Sequence, residues 1–149
     1  MKKKLFIIIL LALALLGCGK KEETKTTDNK GETNMIETSS IKITINNKEY
    51  TLNLLDNPTV NKLKEMLPLE MDMEELNGNE KYIFMSNTFP TNETIPKRIE
   101  KGDVMLYGNN CLVIFYKSFD SKGYSYTKIG HIDNLEDLGK GSVKVIITE

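Results

Sequence analysis

The sequence predicts a mainly β fold, in which about eight strands close or nearly close into a barrel accompanied by two short helices. Two observations indicate it. Short runs of alternating apolar and polar residues recur along the chain, separated by turn-forming Asn, Gly and Asp residues. One further run, Cys111 to Tyr116, is apolar throughout, which is typical of a strand buried on both faces.

The strands are predicted from alternation, from apolar runs and from the turns between them. Residues 41–45 and 48–54 both alternate, and Asn46-Asn47 between them suits a two-residue turn, so they form a β-hairpin. The same signals predict the other strands over residues 69–74, 81–85, 104–107, 111–116, 124–132 and 143–148.

Two short helices are expected among these strands. Asn57-Pro58-Thr59 opens a segment whose apolar residues fall at helical spacing, and Pro68 ends it. A second brief helix is predicted from Leu135 to Lys140.

The N-terminus has the order of a secretion signal. Three lysines follow Met1, and an unbroken apolar run then extends from Leu5 to Leu16. The run is about a dozen residues long, too short for a hydrocarbon core that needs roughly 20 helical residues. The stretch Leu15-Leu16-Gly17-Cys18 resembles the lipobox of bacterial lipoproteins. That resemblance implies cleavage before Cys18 and attachment of lipid, palmitate included, to this cysteine.

The expected partner of the lipidated cysteine is a membrane. Several acyl chains on one residue anchor a protein stably, whereas a single chain binds only marginally. The sequence therefore predicts a lipid-anchored, extracytoplasmic protein of the bacterial cell envelope, at the outer membrane or the cell membrane. Residues 18–40 are almost wholly polar and form the predicted tether between the anchor and a barrel domain over residues 41–149.

Charge and cysteine content exclude some classes of protein. Loss of Lys2, Lys3 and Lys4 with the signal lowers the 20 basic side chains to 17, against 21 acidic ones. Arg98 is the only arginine and no basic stripe is visible, so nucleic acid is not an expected partner. After lipidation of Cys18 only Cys111 remains, which rules out an internal disulfide and suits a buried, inert thiol.

Ordered sequence blocks cover nearly all of residues 41–149. They are Asp56-Asn57-Pro58-Thr59, Leu67-Pro68-Leu69, Glu75-Leu76-Asn77-Gly78-Asn79-Glu80-Lys81-Tyr82, Gly102-Asp103-Val104-Met105-Leu106-Tyr107-Gly108, Leu112-Val113-Ile114-Phe115-Tyr116-Lys117-Ser118-Phe119 and Tyr126-Thr127-Lys128-Ile129-Gly130-His131-Ile132. In this order they resemble the bacterial cyclophilin-like fold proteins. The resemblance implies an eight-stranded barrel with helices at its ends, shared with the peptidyl-prolyl isomerases.

The resemblance does not carry isomerase activity with it. Those isomerases have a Phe-His-Arg block whose arginine polarises the prolyl amide, inside a pocket that includes glutamine and tryptophan. This chain has no such block, no tryptophan and no glutamine. Arg98 is the one candidate for an amide-polarising arginine, and its surroundings predict a surface loop instead. Function cannot be inferred from the fold alone.

A cluster of aromatic residues supplies the candidate ligand site. Phe119 and Tyr124 flank a polar loop, and exposed aromatics beside a loop often mark a binding surface. The full candidate set is Tyr82, Arg98, Tyr116, Phe119, Tyr124 and Tyr126. It supports a module that binds a peptide or small ligand. A prolyl isomerase with a non-standard site, and a structural role in an envelope assembly, stay open as alternatives.

No cofactor or metal site is predicted. His131 is the only histidine, and the usual zinc sites need several. No Gly-x-Ser-x-Gly elbow accompanies it for a hydrolase. The acidic residues Glu70, Asp72, Glu74 and Glu75 lack the spacing of a calcium loop, and they are expected to form a solvated outer face.

Overall fold

The structure is a computed structural model that describes residues 37–149. The predicted signal peptide, the lipidation site at Cys18 and residues 19–36 of the predicted tether lie outside this part of the chain. Within it, no helix has the length and apolar character needed to cross a membrane.

The described chain contains ten strands and one helix. In chain order they are β1 (Glu37–Ile45), β2 (Lys48–Leu55), α1 (Pro58–Glu65), β3 (Leu69–Leu76), β4 (Glu80–Phe84), β5 (Arg98–Ile99), β6 (Asp103–Tyr107), β7 (Cys111–Phe115), β8 (Phe119–Asp120), β9 (Thr127–Ile132) and β10 (Val143–Thr148).

Eight of the strands close into an antiparallel barrel. Their order around it is β1-β10-β3-β4-β7-β6-β9-β2, and β5 pairs with β8 in a separate two-stranded sheet. Closure leaves no barrel strand with an unpaired edge. The predicted mainly β fold with a closed eight-stranded barrel is confirmed.

The first hairpin forms because its turn residues tolerate left-handed backbone. Asn46 and Asn47 have φ of 45° and 67°, as a two-residue hairpin turn requires. The strands they join pair in register, Ile45 with Lys48 and Ile43 with Tyr50. The strand β1 begins at Glu37, before the alternating pattern that starts at Ile41.

Helix α1 agrees with the first predicted helix. The side chain of Asn57 caps it by accepting a hydrogen bond from the backbone N–H of Val60 at 2.9 Å. Pro58 occupies the first turn, where its missing N–H costs nothing. Val60 and Leu63 are buried against the barrel core.

The second predicted helix, Leu135 to Lys140, is wrong. This segment is irregular and carries left-handed backbone at Gly139, with φ of 63°. The Asp137 carboxylate accepts a hydrogen bond from the Gly139 N–H at 2.9 Å, a local bond that competes with helical hydrogen bonding. Leu135 is buried nonetheless, so its apolar character reflects packing and not a helical face.

Strand alternation divides the apolar residues into two clusters. The barrel core takes residues from around the barrel, including Leu112 and Ile114 of β7. The remaining buried residues of the same strand, Cys111, Val113 and Phe115, belong to a second cluster on the outside of the barrel wall. The strand is therefore buried on both faces, as predicted.

Candidate ligand-binding cleft

The second cluster is here called the outer cluster, and it lies on the outer face of β4, β7 and β6. Its residues are Ile99, Met105, Cys111, Val113, Phe115 and Tyr126, with Tyr82 and Phe119 packed against them. Part of it is covered by the two-stranded sheet, in which Ile99 pairs with Phe119. The Phe115 ring lies 5.7 Å from that of Phe119 and 5.6 Å from that of Tyr126, centroid to centroid.

A cleft of about 570 Å³ opens beside the outer cluster. This volume falls in the range of sites that bind small molecules. Six aromatic side chains line it: Tyr82, Phe84, Tyr107, Phe119, Tyr124 and Tyr126. Aromatic and aliphatic side chains accompanied by polar groups are typical of ligand pockets, and this lining contains both kinds.

Three tyrosines form one wall of the cleft. The ring of Tyr107 meets Tyr124 nearly edge-on at 6.2 Å and Tyr126 at a tilt at 5.6 Å. Tyr107 and Tyr124 are 43% and 56% exposed, whereas Tyr126 is buried beneath them. The two outer rings therefore keep apolar surface available to a ligand.

The cleft also contains an acidic group. Glu80 lines it, and its carboxylate makes no salt bridge or hydrogen bond with any other described residue. Burial, followed by the negative charge of Glu75, raises the pKa of the Glu80 carboxyl. The charge of Glu80 affects its neighbours too. Burial chiefly, and Glu80 next, raise the pKa of Tyr126 to about 12.

Other polar groups complete the lining. Lys122 is the one cationic side chain among the lining residues, on the exposed loop that follows β8. Asn79 also lines the cleft, and its buried Oδ1 has no hydrogen-bond partner within residues 37–149. On the β3 side, the Tyr82 hydroxyl donates to the Glu74 carboxylate at 3.0 Å.

Comparison with known protein families matches residues 43–148 to the cyclophilin-like family. The chain belongs to the cyclophilin-like family. The match spans the barrel from within β1 to the end of β10, so the family predicted from the ordered sequence blocks is confirmed. No curated protein and no solved structure matches the chain.

Four of the six predicted site residues of this cyclophilin-like domain meet in the cleft. They are Tyr82, Phe119, Tyr124 and Tyr126. They come from β4, β8 and the segment before β9, so only the folded barrel brings them together.

The other two predicted residues do not line the cleft. Tyr116 is buried in the barrel core, and its hydroxyl donates to Glu75 at 3.2 Å. Arg98 lies on the short strand β5 and not in the predicted loop, and its guanidinium pairs with the carboxylates of Glu100 and Asp120 at 2.7 and 2.9 Å. The amide-polarising arginine that the isomerase alternative requires is therefore not among the cleft residues.

The sequence pattern does not predict the strand residues of the cleft, chiefly Phe84, Tyr107 and Glu80. A signal for two of them exists in the alternation of β4, because Glu80, Tyr82 and Phe84 share one face of that strand. Phe84 is 65% exposed, which is unusual for a phenylalanine in a barrel strand.

Residues weighed for metal or thiol chemistry lie elsewhere or are inert. Glu70, Asp72 and Glu74 are exposed on β3, as predicted, whereas Glu75 is half-buried and accepts a hydrogen bond from Tyr116. His131 Nδ1 lies 3.1 Å from the buried Asp103 carboxylate. No group of three potential metal ligands occurs within the described chain. Cys111 is buried, and burial raises the pKa of its thiol, which keeps it protonated near neutral pH.

Proposed function

We propose that this protein is a lipid-anchored extracytoplasmic protein whose cyclophilin-like barrel binds a peptide or small ligand in the outer cleft. The observation that carries the binding role is the cleft itself, a volume of about 570 Å³ with six aromatic side chains in its lining. Membrane anchoring is supported by the lipobox-like stretch that ends at Cys18.

The position of the cleft supports binding without rearrangement of the fold. Its walls belong to the outer cluster and to the exposed ends of β4 and β6, whereas the barrel core is a separate set of residues. A ligand can therefore contact Tyr107 and Tyr124 without disturbing the packing that stabilises the barrel. Site and scaffold are separate in this domain.

Ligand-observed NMR of the full chain tests the binding role. The panel contains a proline-containing tetrapeptide and small amides with apolar, cationic and anionic side chains. At least one member should bind saturably. The double substitution Phe119→Ala and Tyr124→Ala should abolish that binding, because it removes apolar surface from the cleft. Tyr50→Ala, which alters an aromatic outside the cleft, is the matched control. Unchanged binding in the double variant would rule out this site.

Metabolic labelling with a palmitate analogue tests the anchor. The wild-type chain should take up label and sediment with membranes, and Cys18→Ala should lose both properties. Equal labelling of the two chains would exclude lipidation at Cys18.

A further inference from the structure

We infer that the cleft is selective for organic cations, such as a guanidinium or ammonium group on an apolar stem, which Glu80 and the tyrosine wall bind together. This rests on the proposed binding function and names its ligand class. The decisive feature is a carboxylate that lines an aromatic cleft and has no cationic partner among the described residues.

The environment of Glu80 makes a cation the complementary ligand. The carboxylate is partly buried, and the charge that affects its pKa is that of another carboxylate, Glu75. Glu74 adds a third negative group, at the Tyr82 hydroxyl on the cleft wall. The only cationic side chain among the lining residues is Lys122, which lies on an exposed loop. An unpaired charge that is partly removed from water is unfavourable, and a bound cation would offset that cost.

The tyrosine wall offers a second attraction for the same charge. A cation is stabilised within about 6 Å of an aromatic centroid, by the negative face of the ring. Tyr107, Tyr124 and Tyr126 meet edge-on or tilted, at centroid separations of 5.6 to 6.2 Å, so their faces point in different directions. An anionic ligand would be repelled by Glu80, and a purely apolar one would leave its carboxylate unpaired.

Guanidinium has an advantage over ammonium in such a site. It is planar, stacks on aromatic rings and can donate two parallel hydrogen bonds to one carboxylate. Guanidinium and ammonium both carry the required positive charge, and the test below compares their affinities.

The test compares matched amino-acid derivatives by calorimetry with the full chain at low salt. The probes are the N-acetyl methylamides of arginine, lysine, citrulline and norleucine, together with agmatine. Citrulline has the shape of arginine without its charge. Arginine should bind about tenfold more tightly than citrulline, and added salt should weaken that preference. Agmatine, which carries a guanidinium group without peptide groups, shows whether a small free cation binds to the cleft.

A Glu80→Gln substitution assigns the preference to this carboxylate. It should reduce arginine affinity to about that of citrulline and leave citrulline binding unchanged. Asp72→Asn, at an exposed carboxylate on β3 outside the cleft, is the control and should change neither. Thermal unfolding verifies that both variants are folded.

The outcomes separate the ligand class from the binding function. Equal binding of arginine and citrulline, or an arginine preference that persists in Glu80→Gln, overturns the cation selectivity. If neutral probes bind and are lost on Tyr124→Ala, the binding function stands without that selectivity. If neither these probes nor the panel of peptides and amides binds, the binding function itself fails.

Discussion

At the scale of single residues, Glu80 carries a charge that its folded environment disfavours. Its carboxyl pKa is raised above the usual 4.5, mainly by burial, so folding disfavours the ionised form. A raised pKa contributes stability that is present below pH 4.5 and is lost as the pH rises through the folded-state value. Near pH 7 the unliganded protein has lost that contribution.

Glu80→Gln should therefore stabilise the unliganded protein at pH 7, although it should weaken cation binding. Glutamine keeps the shape of the side chain and removes the disfavoured charge. The gain should shrink as the pH falls towards 4, because the wild-type carboxyl is then protonated. Urea unfolding of the wild type and the variant at pH 7 and pH 4 measures this gain in stability. A variant that is less stable than wild type at pH 7 would contradict this account of Glu80.

Lys81 shows the opposite case, a buried charge that has partners. No part of it is accessible, and its Nζ donates to the backbone carbonyls of Gly139 and Gly141, both at 2.7 Å. The same Nζ lies 4.9 Å from the centroid of the Tyr116 ring. It thereby ties the irregular segment between β9 and β10 to the inside of β4.

Lys81→Met should destabilise the fold by about 1.5–3 kcal/mol, because two carbonyls lose a charged donor. Lys42→Met is the control, since Lys42 is half exposed and pairs with Glu49 at 3.1 Å. An exposed pair of this kind contributes about 0–1 kcal/mol. Chemical denaturation of both variants gives the comparison, and equal losses would mean that the two carbonyl contacts of Lys81 are not stabilising.

At the scale of elements, the sequence predicts what short-range chemistry determines. Asn46-Asn47 predicts a hairpin because asparagine is one of the few residues besides glycine that tolerate left-handed backbone. Asn57 predicts the start of a helix because its side chain can accept a hydrogen bond from a backbone N–H of the first turn. The helix predicted over 135–140 is wrong because Gly139 adopts left-handed backbone and its carbonyl accepts a hydrogen bond from Lys81, a contact with a strand distant in sequence. The two-residue strands β5 and β8 are too short to show alternation.

The cleft was predictable only in part, for a related reason. Alternation separates a strand into two faces, and Phe115 and Tyr116, which are adjacent in sequence, lie in different clusters of the barrel wall. It cannot tell which face points into the barrel. The sequence pattern alone therefore does not show that Tyr116 faces the core or that Tyr107 lines the cleft.

Strand β9 depends on a glycine where two strands approach closely. A Cβ at Gly130 would lie 2.1 Å from the backbone oxygen of Asn53 on β2. The pairing of β9 with β6 also shifts register beside this residue, between Val104 and Met105. An added methyl group must push β2 and β9 apart.

Gly130→Ala should accordingly cost about 1–3 kcal/mol, the usual range for overpacking a core. Gly78→Asn is the matched control. Gly78 lies in a turn with φ of 71° and has no atom within 4 Å of an added Cβ, and Asn tolerates left-handed backbone. Its substitution should change stability by less than about 1 kcal/mol. Thermal unfolding of both variants measures the two changes in stability. If Gly130→Ala is as stable as Gly78→Asn, β2 and β9 can move apart to admit the methyl group without loss of stability.

At the scale of the whole molecule, the barrel combines a family scaffold with a cleft of its own chemistry. The matched region extends over the barrel, so the family accounts for the scaffold. The cleft charges do not resemble those of an isomerase site. The acidic Glu80 lines the cleft. The only arginine, Arg98, pairs with Glu100 and Asp120 and is not among the lining residues.

Binding of a proline-containing peptide should therefore leave its cis–trans exchange unaccelerated. The uncatalysed exchange takes tens to hundreds of seconds at 25 °C. In the isomerases an arginine polarises the prolyl amide, and here Arg98 pairs with Glu100 and Asp120 and is not among the residues that line the cleft. Exchange NMR of the tetrapeptide with the full chain measures the rate and reports binding in the same spectra. Acceleration that disappears on Arg98→Ala would show that the guanidinium leaves Glu100 and Asp120 to reach the peptide. The isomerase alternative would then replace simple binding as the function of the cleft.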